Sequence, residues 1–290
     1  MDAHLLRTFV VVADTGSFSA AAQRLSYTQS AVSQQIAALE ADLGTPLLTR
    51  RPVALTPAGE RLHRHAQLIL VRLAAARADV TRAVAPPGRL ALGLTPLAWT
   101  GEVAAALARI RAEAARLRTS VVVAERDRIV TEVATGELDL GLVDGFAAPS
   151  DPLRLPDPGG ARPVGVAEDA AVVALPAGHP LARRAGLDLS DLADAYWIDA
   201  PGVAPLSRLP VDGLRAGLSY RGSDVPTLLG LVATGHGLAV LPARVVTAEG
   251  GLVGVPVQAP RLIHRVEMLA GVADEPAQRL AALLNPSAAS

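Results

Sequence analysis

Apolar residues recur at helical spacing three times within the first 44 positions, separated by short turn signals. Over residues 2–14 one face carries Leu5, Leu6, Phe9, Val10 and Ala13, a stripe that predicts a helix. Gly16 stands where a helix stop is expected. Ser17 can cap a second helix over 18–25, in which Ala20, Ala21 and Ala22 are strong helix formers. After a short turn at Ser26 and Tyr27, Thr28 can cap a third helix over 29–43. Its Val32, Ile36 and Leu39 face inward, and Gly44 ends it. Three short helices, the last two joined by a tight turn, outline a helix-turn-helix module.

Leu47 and Leu48, then Val53 and Leu55, suit two short strands, with Arg50 and Arg51 near the tip of the hairpin, as in a wing. Thr56-Pro57 is a strong helix start. The helix is predicted to run to residue 84 with Leu62, Ala66, Ile69, Leu73, Ala76, Val80 and Ala83 in a seam of alternating four- and three-residue steps. At 1.5 Å per residue it is about 42 Å long, and a heptad seam of that length favours pairing with a second chain. His63 and His65 fall on different faces and read as surface residues. Pro86-Pro87-Gly88 stops the helix and reads as a hinge.

From residue 89 onward the pattern alternates between strands and helices. Strands are expected at 89–94, 120–124 and 138–143, with helices at 100–116 and 127–135, the signature of a parallel α/β sheet. A Pro- and Gly-rich stretch at 147–163 opens a second unit. There, strands are expected at 170–175, 196–198, 214–220 and 238–241, a short helix at 188–193 and a helix at 226–234. A returning strand at 265–271 and a last helix at 276–284 close the chain. The expected architecture is an N-terminal winged helix-turn-helix over 1–58, a linker helix and hinge over 59–88, and a two-lobed α/β domain over 89–290. Lobe I would comprise 89–161 and 266–290, lobe II 162–265, with a cleft where the chain crosses between them.

Composition narrows the chemistry. Half the residues are hydrophobic and 19% are charged, a folding composition. With no cysteine, the chain has no disulfide, no Cys-ligated metal and no thiol nucleophile. All 27 basic residues are Arg, so lysine Schiff bases and Walker-type phosphate lysines are closed to it as well. The net charge of -1 is unevenly spread. Residues 1–90 carry ten Arg against six acids, and the remainder seventeen against twenty-two, which suits a nucleic-acid-facing N-terminal module. No secretory signal is read at the start. The longest uncharged stretch, 225–243, holds three Gly, two Pro and His236 and suits no membrane span, so a cytoplasmic protein is expected. His179 and His264 have no nucleophile signature nearby, and no Gly-x-Ser-x-Gly, His-Glu-x-x-His or Gly-x-Gly-x-x-Gly run occurs. No enzymatic activity, cofactor or metal is expected.

The outer face of the third helix begins Gln29, Ser30, Ser33, Gln34 and Gln35. Such a helix fits a major groove about 12 Å wide, where Gln bonds adenine bidentately and Ser bonds either kind of base edge. The same run also suits a solvated polar face, but those usually favour Glu, Lys and Arg. Arg50 and Arg51 would contact phosphate or stand solvated in a loop.

These residues resemble the LysR-type transcriptional regulators. The resemblance is densest through Leu6-Arg7-Thr8-Phe9, Gly16-Ser17-Phe18-Ser19-Ala20-Ala21-Ala22, Gln29-Ser30-Ala31-Val32-Ser33-Gln34-Gln35-Ile36, Pro46-Leu47-Leu48 and Leu55-Thr56-Pro57-Ala58-Gly59. It continues more loosely through Gly136-Glu137-Leu138-Asp139-Leu140 and Gly235-His236-Gly237-Leu238-Ala239-Val240-Leu241-Pro242. Leu48 stands where that family commonly has Phe, and Ser30 where Pro is frequent. The resemblance implies a dimerising linker helix and an effector domain similar to periplasmic binding proteins. It implies homodimers or dimers of dimers on double-stranded DNA, and contact with RNA polymerase where the protein activates. By position it turns Gln29, Ser30, Ser33, Gln34 and Gln35 toward bases or nearby backbone, and Thr28, Arg50 and Arg51 toward phosphate.

In the expected cleft, Thr95, Thr100, Pro201 and Ser223 lie at strand ends or helix starts, where free N–H groups suit a carboxylate. The expected effector is a small organic acid or an amino-acid-like anion. Each of these residues also suits an ordinary cap or turn. An alternative is a small-molecule-binding protein or enzyme on the two-lobed domain, with the N-terminal module serving assembly. The Gln/Ser face and the basic first third count against it. A regulator that answers to no small molecule stays open.

Overall fold

The computed structural model describes residues 1–84, 88–114, 116–246, 251–271 and 275–285. Pro86 and Pro87 of the expected hinge lie outside the described residues. The chain divides into two compact units, Met1–Ala83 and Val84–Ser290.

The first unit is built as the cap signals predict. Helix α1 (Ala3–Thr15) is capped by Asp2, whose carboxylate accepts from His4 N–H at 2.8 Å, and ends at Gly16 with φ 60°. Helix α2 (Phe18–Leu25) is capped by Ser17, and helix α3 (Gln29–Leu43) by Thr28. The turn between them puts Ser26, a non-Gly residue, at φ 58°. Strands β1 (Leu48–Arg50) and β2 (Val53–Leu55) form the antiparallel wing, with Arg51 and Pro52 in its turn. Helix α4 (Pro57–Ala83) follows, its Gly59 N–H received by the Thr56 hydroxyl at 3.1 Å. Leu6, Phe9, Val12, Val32, Ile36, Leu39 and Leu47 make the core.

Half of the expected pairing seam belongs to that core. Ala66 is fully buried, and Leu62 and Ile69 pack half-buried beside it, because the first turns of α4 lie along α1. These three residues are taken up within one chain. The seam's other four residues, Leu73, Ala76, Val80 and Ala83, are exposed, Val80 at 70%.

The second unit holds an eight-stranded mixed sheet. Strand β3 (Arg89–Leu94) pairs in parallel with β4 (Arg118–Val123) and β5 (Leu140–Ala147). Between these strands run α5 (Gly101–Glu113) and α6 (Arg126–Ala134). Then come β6 (Val164–Pro176), β7 (Leu187–Asp188), β8 (Trp197–Asp199), β9 (Ala216–Ser219), α7 (Val225–Ala233), β10 (Ala239–Pro242) and α8 (Ala243–Val246). β11 (Leu252–Ala259), β12 (Ile263–Ala270) and α9 (Glu275–Leu284) complete the order. The sheet runs β4-β3-β5-β12-β6-β11-β7 with β10 on β6, and β8 pairs separately with β9. In lobe I the strand alternation sorts the core. Leu90, Leu92 and Leu94 face α5 and α9, while Ala91 faces α6. In lobe II, α7 covers one face with Leu228, Leu229 and Val232, and Trp197 is buried on the other.

The parallel sheet expected of the first three strands is observed in β3, β4 and β5, while β12, β6, β10 and β11 pair antiparallel and make the whole sheet mixed. β6 is also longer than expected. Its first half pairs with β12 and its second half with β10 and β11, so the lobes meet along one continuous strand. Glu168 and Asp169 in mid-strand break the apolar pattern. They are held by Arg265 at 2.7 Å and Arg244 at 3.1 Å. β11 has no counterpart in the sequence reading, because Gly254 and Pro256 interrupt its alternating valines.

Gly59 lets α4 pass close to the wing, since a Cβ there would meet the Leu47 carbonyl oxygen at 2.1 Å. Backbone cannot yield as a side-chain tip can. Gly59→Ala is expected to cost about 1–3 kcal/mol in urea unfolding followed by helical circular dichroism. A variant as stable as the parent would contradict this close approach.

Candidate functional site

In the first unit the expected base-facing residues divide. Gln29, Ser30 and Gln34 are exposed on α3, and Ser33 is half-buried beside them. The Thr28 hydroxyl is committed to its own helix, accepting from Ala31 N–H at 3.2 Å and bonding Ser30 Oγ at 3.0 Å. Gln35 turns the other way. Its Oε1 accepts from the Thr8 hydroxyl at 2.6 Å and its Nε2 lies 3.0 Å from His4 Nε2. The spacing holds the reason, because position 35 is three residues from buried Val32 and four from buried Leu39.

The two wing arginines also differ. The Arg50 guanidinium lies 5.0 Å from the Phe18 ring centroid, with Ser33 Oγ at 3.4 Å and Glu40 Oε2 at 3.6 Å. Glu40 in turn accepts from the N–H groups of Leu47 and Leu48, at 2.8 and 3.2 Å, and so fastens the wing to α3. Arg51 is exposed in the hairpin turn.

In the second unit Thr95 and Pro201 line one small chamber between the lobes, of about 30 Å³. Arg126, Asp144 and Phe146 also line it from lobe I, and Arg208 from lobe II. Glu125, Pro201 and Gly202 continue into a broader groove of about 660 Å³, where Ser223 stands with Arg128, Ser219 and Arg221. Thr100 lies in neither. Its hydroxyl accepts from Val103 N–H at 3.3 Å, capping α5, and bonds the Glu102 carboxyl, which it holds below the usual carboxylate range. Its one O–H is spent on Glu102, so it has no donor left for an anion.

Sequence reasoning missed the charges at the chamber floor. Arg126 is almost buried, and its Nη2 donates to the Asp144 carbonyl. The guanidinium lies where a Cβ on Gly145 would stand, 2.0 Å from Nη2. Burial and, after it, the like charge of Arg208 push the Arg126 pKa down to about 10, against the pull of Asp144, Asp127 and Glu267. Arg126 Nε and Glu267 Oε2 are buried without a hydrogen-bond partner among the described residues. Arg208 pairs with Asp127 of α6 at 2.9 Å, an ion pair spanning the two lobes.

Asp144 begins a buried polar chain. Its Oδ1 accepts from the Thr95 hydroxyl, and its Oδ2 lies 2.9 Å from Nε2 of fully buried His264. Nδ1 of His264 lies 3.4 Å from Arg244 Nη1. A guanidinium only donates, so Nδ1 accepts and Nε2–H donates to Asp144. Arg244 also donates to Asp169 and to the Leu97 carbonyl. Leu97 itself packs in the core beneath α7. His264, in the sequence a candidate without a role, is the middle of this chain.

Residues 3–60 match the family model for bacterial regulatory helix-turn-helix proteins of the lysR family, and residues 84–285 match the LysR substrate binding domain. The chain belongs to the lysR family. It is a DNA-binding transcriptional regulator with an effector-binding domain. It is 32% identical over 253 residues to a probable hydrogen peroxide-inducible genes activator of Mycobacterium avium, covering 84% of this chain and 78% of that one. It is also 32% identical over 254 residues to the HTH-type transcriptional regulator BudR of Raoultella terrigena, covering 83% and 84%. Among solved structures, full-length OxyR C199D from Pseudomonas aeruginosa shares the fold, with TM-score 0.53, 21% identity and coverage of 98% and 99%. Among the described residues no helix of this regulator is long and apolar enough to cross a membrane.

Asp144→Asn leaves one acceptor oxygen for two donors: its N–H2 faces either the Thr95 hydroxyl, which then gives up its donated bond, or His264, whose Nε2 accepts only if the proton moves to Nδ1 and the bond from Arg244 is lost. The expected cost is about 2–3 kcal/mol. Both tryptophans, Trp99 and Trp197, lie in the second unit, so their fluorescence during urea unfolding reads that unit alone. A loss under about 0.5 kcal/mol, the scale of a neutral surface change, would contradict the buried chain.

Proposed function

We propose that this regulator reads duplex DNA with the exposed face of α3 and anchors on phosphate through the wing. Its outward uncharged residues are Gln29, Ser30 and Gln34, with Ser33 at their edge. Arg51, exposed at the hairpin turn, is the phosphate contact of first choice. The chain acts as a homodimer or dimer of dimers. The exposed Leu73, Ala76 and Val80 favour this, since a solvated apolar stripe at 3.5-residue spacing is relieved by a second helix. Where it activates transcription, RNA polymerase is the further partner.

The effector is a small organic anion held between the lobes of the second unit. The single observation carrying this reading is the pair Arg126 and Arg208, two like charges turned on one chamber, one of them with a buried, unpartnered Nε. An anion relieves both the repulsion and the unmet donor. The inner chamber is water-sized. The body of the effector therefore lies in the outer groove, beside Arg128, Arg221 and Ser223, and sends its anionic group inward. The Mycobacterium avium relative is named for hydrogen peroxide induction, but this chain has no cysteine and no thiol–disulfide step is open to it.

Melting of the full chain, followed by tryptophan fluorescence, tests the effector class. Small carboxylic acids at about 100 times their Kd should raise Tm by roughly 5–10 °C, and Arg126→Met should abolish the rise. Stabilisation by amines or bulky neutral compounds alone would contradict the anionic class.

A further inference from the structure

The bridge Thr8–Gln35–His4 joins the buried side of α3 to α1. Thr8 is 1% exposed and its hydroxyl donates to Gln35 Oε1 at 2.6 Å. With its oxygen on Thr8, the amide turns Nε2 to His4 Nε2 at 3.0 Å and donates to it. His4 is held at its own end. Its backbone N–H donates to the Asp2 cap, and its ring meets Tyr27 edge-on at 5.7 Å, in the turn that precedes α3. One amide therefore ties the middle of the reading helix to α1, and the same imidazole touches the turn from which that helix starts.

We propose that Gln35 is a positioning residue for DNA reading and that His4 completes its hold. Gln35 sets the rotation of α3 about its own axis, which decides where Gln29, Ser30 and Gln34 point. The apolar contacts of Val32, Ile36 and Leu39 do not set that rotation alone, because dispersion is non-directional while a hydrogen bond weakens steeply off its axis. This inference rests on the reading that the outer face of α3 meets the bases.

Selection of bound duplexes from a random-sequence library by the full chain supplies the preferred site. The parent's failure to select any sequence would sink the DNA-facing reading itself, before the variants are compared. Affinities for the selected duplex and for a random-sequence duplex are then measured for Gln34→Ala, Gln35→Ala and His4→Ala. Gln34→Ala should relax preference at one base position. Gln35→Ala should lower the ratio of selected to random affinity about three- to tenfold, the worth of one hydrogen bond, with every base position weakened together and random-sequence binding unchanged. His4→Ala, at an exposed residue whose loss spares the core, should give the same signature at smaller size, and it carries the test should Gln35→Ala fail to fold. Relaxation at a single base position in Gln35→Ala would make it a reader and overturn the proposal. So would an unchanged affinity ratio in His4→Ala.

Discussion

A helix that enters a groove can spend only one side on its own fold. In α3 that side is Val32, Ile36 and Leu39, all fully buried, and each such side chain contributes about 1.5–3 kcal/mol of burial. Both ends are fixed locally, by the Thr28 cap and by Gly44 in the left-handed region. Glu40 ties the far end to the wing. Toward its N-terminus, what remains outward is uncharged: Gln29, Ser30 and Gln34. Amides and hydroxyls add no charge of their own and gain where the base edge matches. On the proposed reading, charge is delegated to the wing, which anchors on phosphate.

The second unit meets a different constraint. Its two lobes share the continuous strand β6, so no flexible linker separates them at that crossing. They are also joined by side chains from opposite lobes, Arg208 to Asp127 and Arg244 to the Leu97 carbonyl. Any change of lobe orientation has to break or rebuild these ties. Polar ties of that kind have two discrete arrangements, made and broken, and an effector acts only through its different affinity for the two. Arg126 and Asp144 stand at the junction, one turned to the cleft and the other to the buried chain behind it.

Local signals in the sequence were legible to the residue. The bounds of α2 and α3 follow from Ser17, Thr28 and Gly44, whose effect acts within one turn. The wing and the long helix follow from Thr56-Pro57 and the seam. What stayed hidden depends on contacts far along the chain. The first half of β6 carries Glu168 and Asp169 because Arg265 and Arg244 wait across the sheet, and no local rule anticipates a charged strand centre. Arg126 becomes a site residue only when α6 packs on β5, and His264 only when β12 lies beside β5. Thr100 looked like a ligand donor because a helix start offers the same groups to a cap and to an anion, and its partners Val103 and Glu102 decide for the cap. Gln35 was within reach, since its spacing from Val32 and Leu39 already set it on the inner flank.

The central claim is that a neutral, well-held helix face reads bases while the wing supplies charge. The most direct measurement is fluorescence anisotropy of the full chain on its selected duplex across a series of salt concentrations, for the parent and for Arg51→Ala. The account predicts a linear fall of log affinity with log salt, and a slope reduced by about one in the variant, with the preference among duplexes retained. An unchanged slope together with a lost preference would assign base reading to the wing and contradict the account.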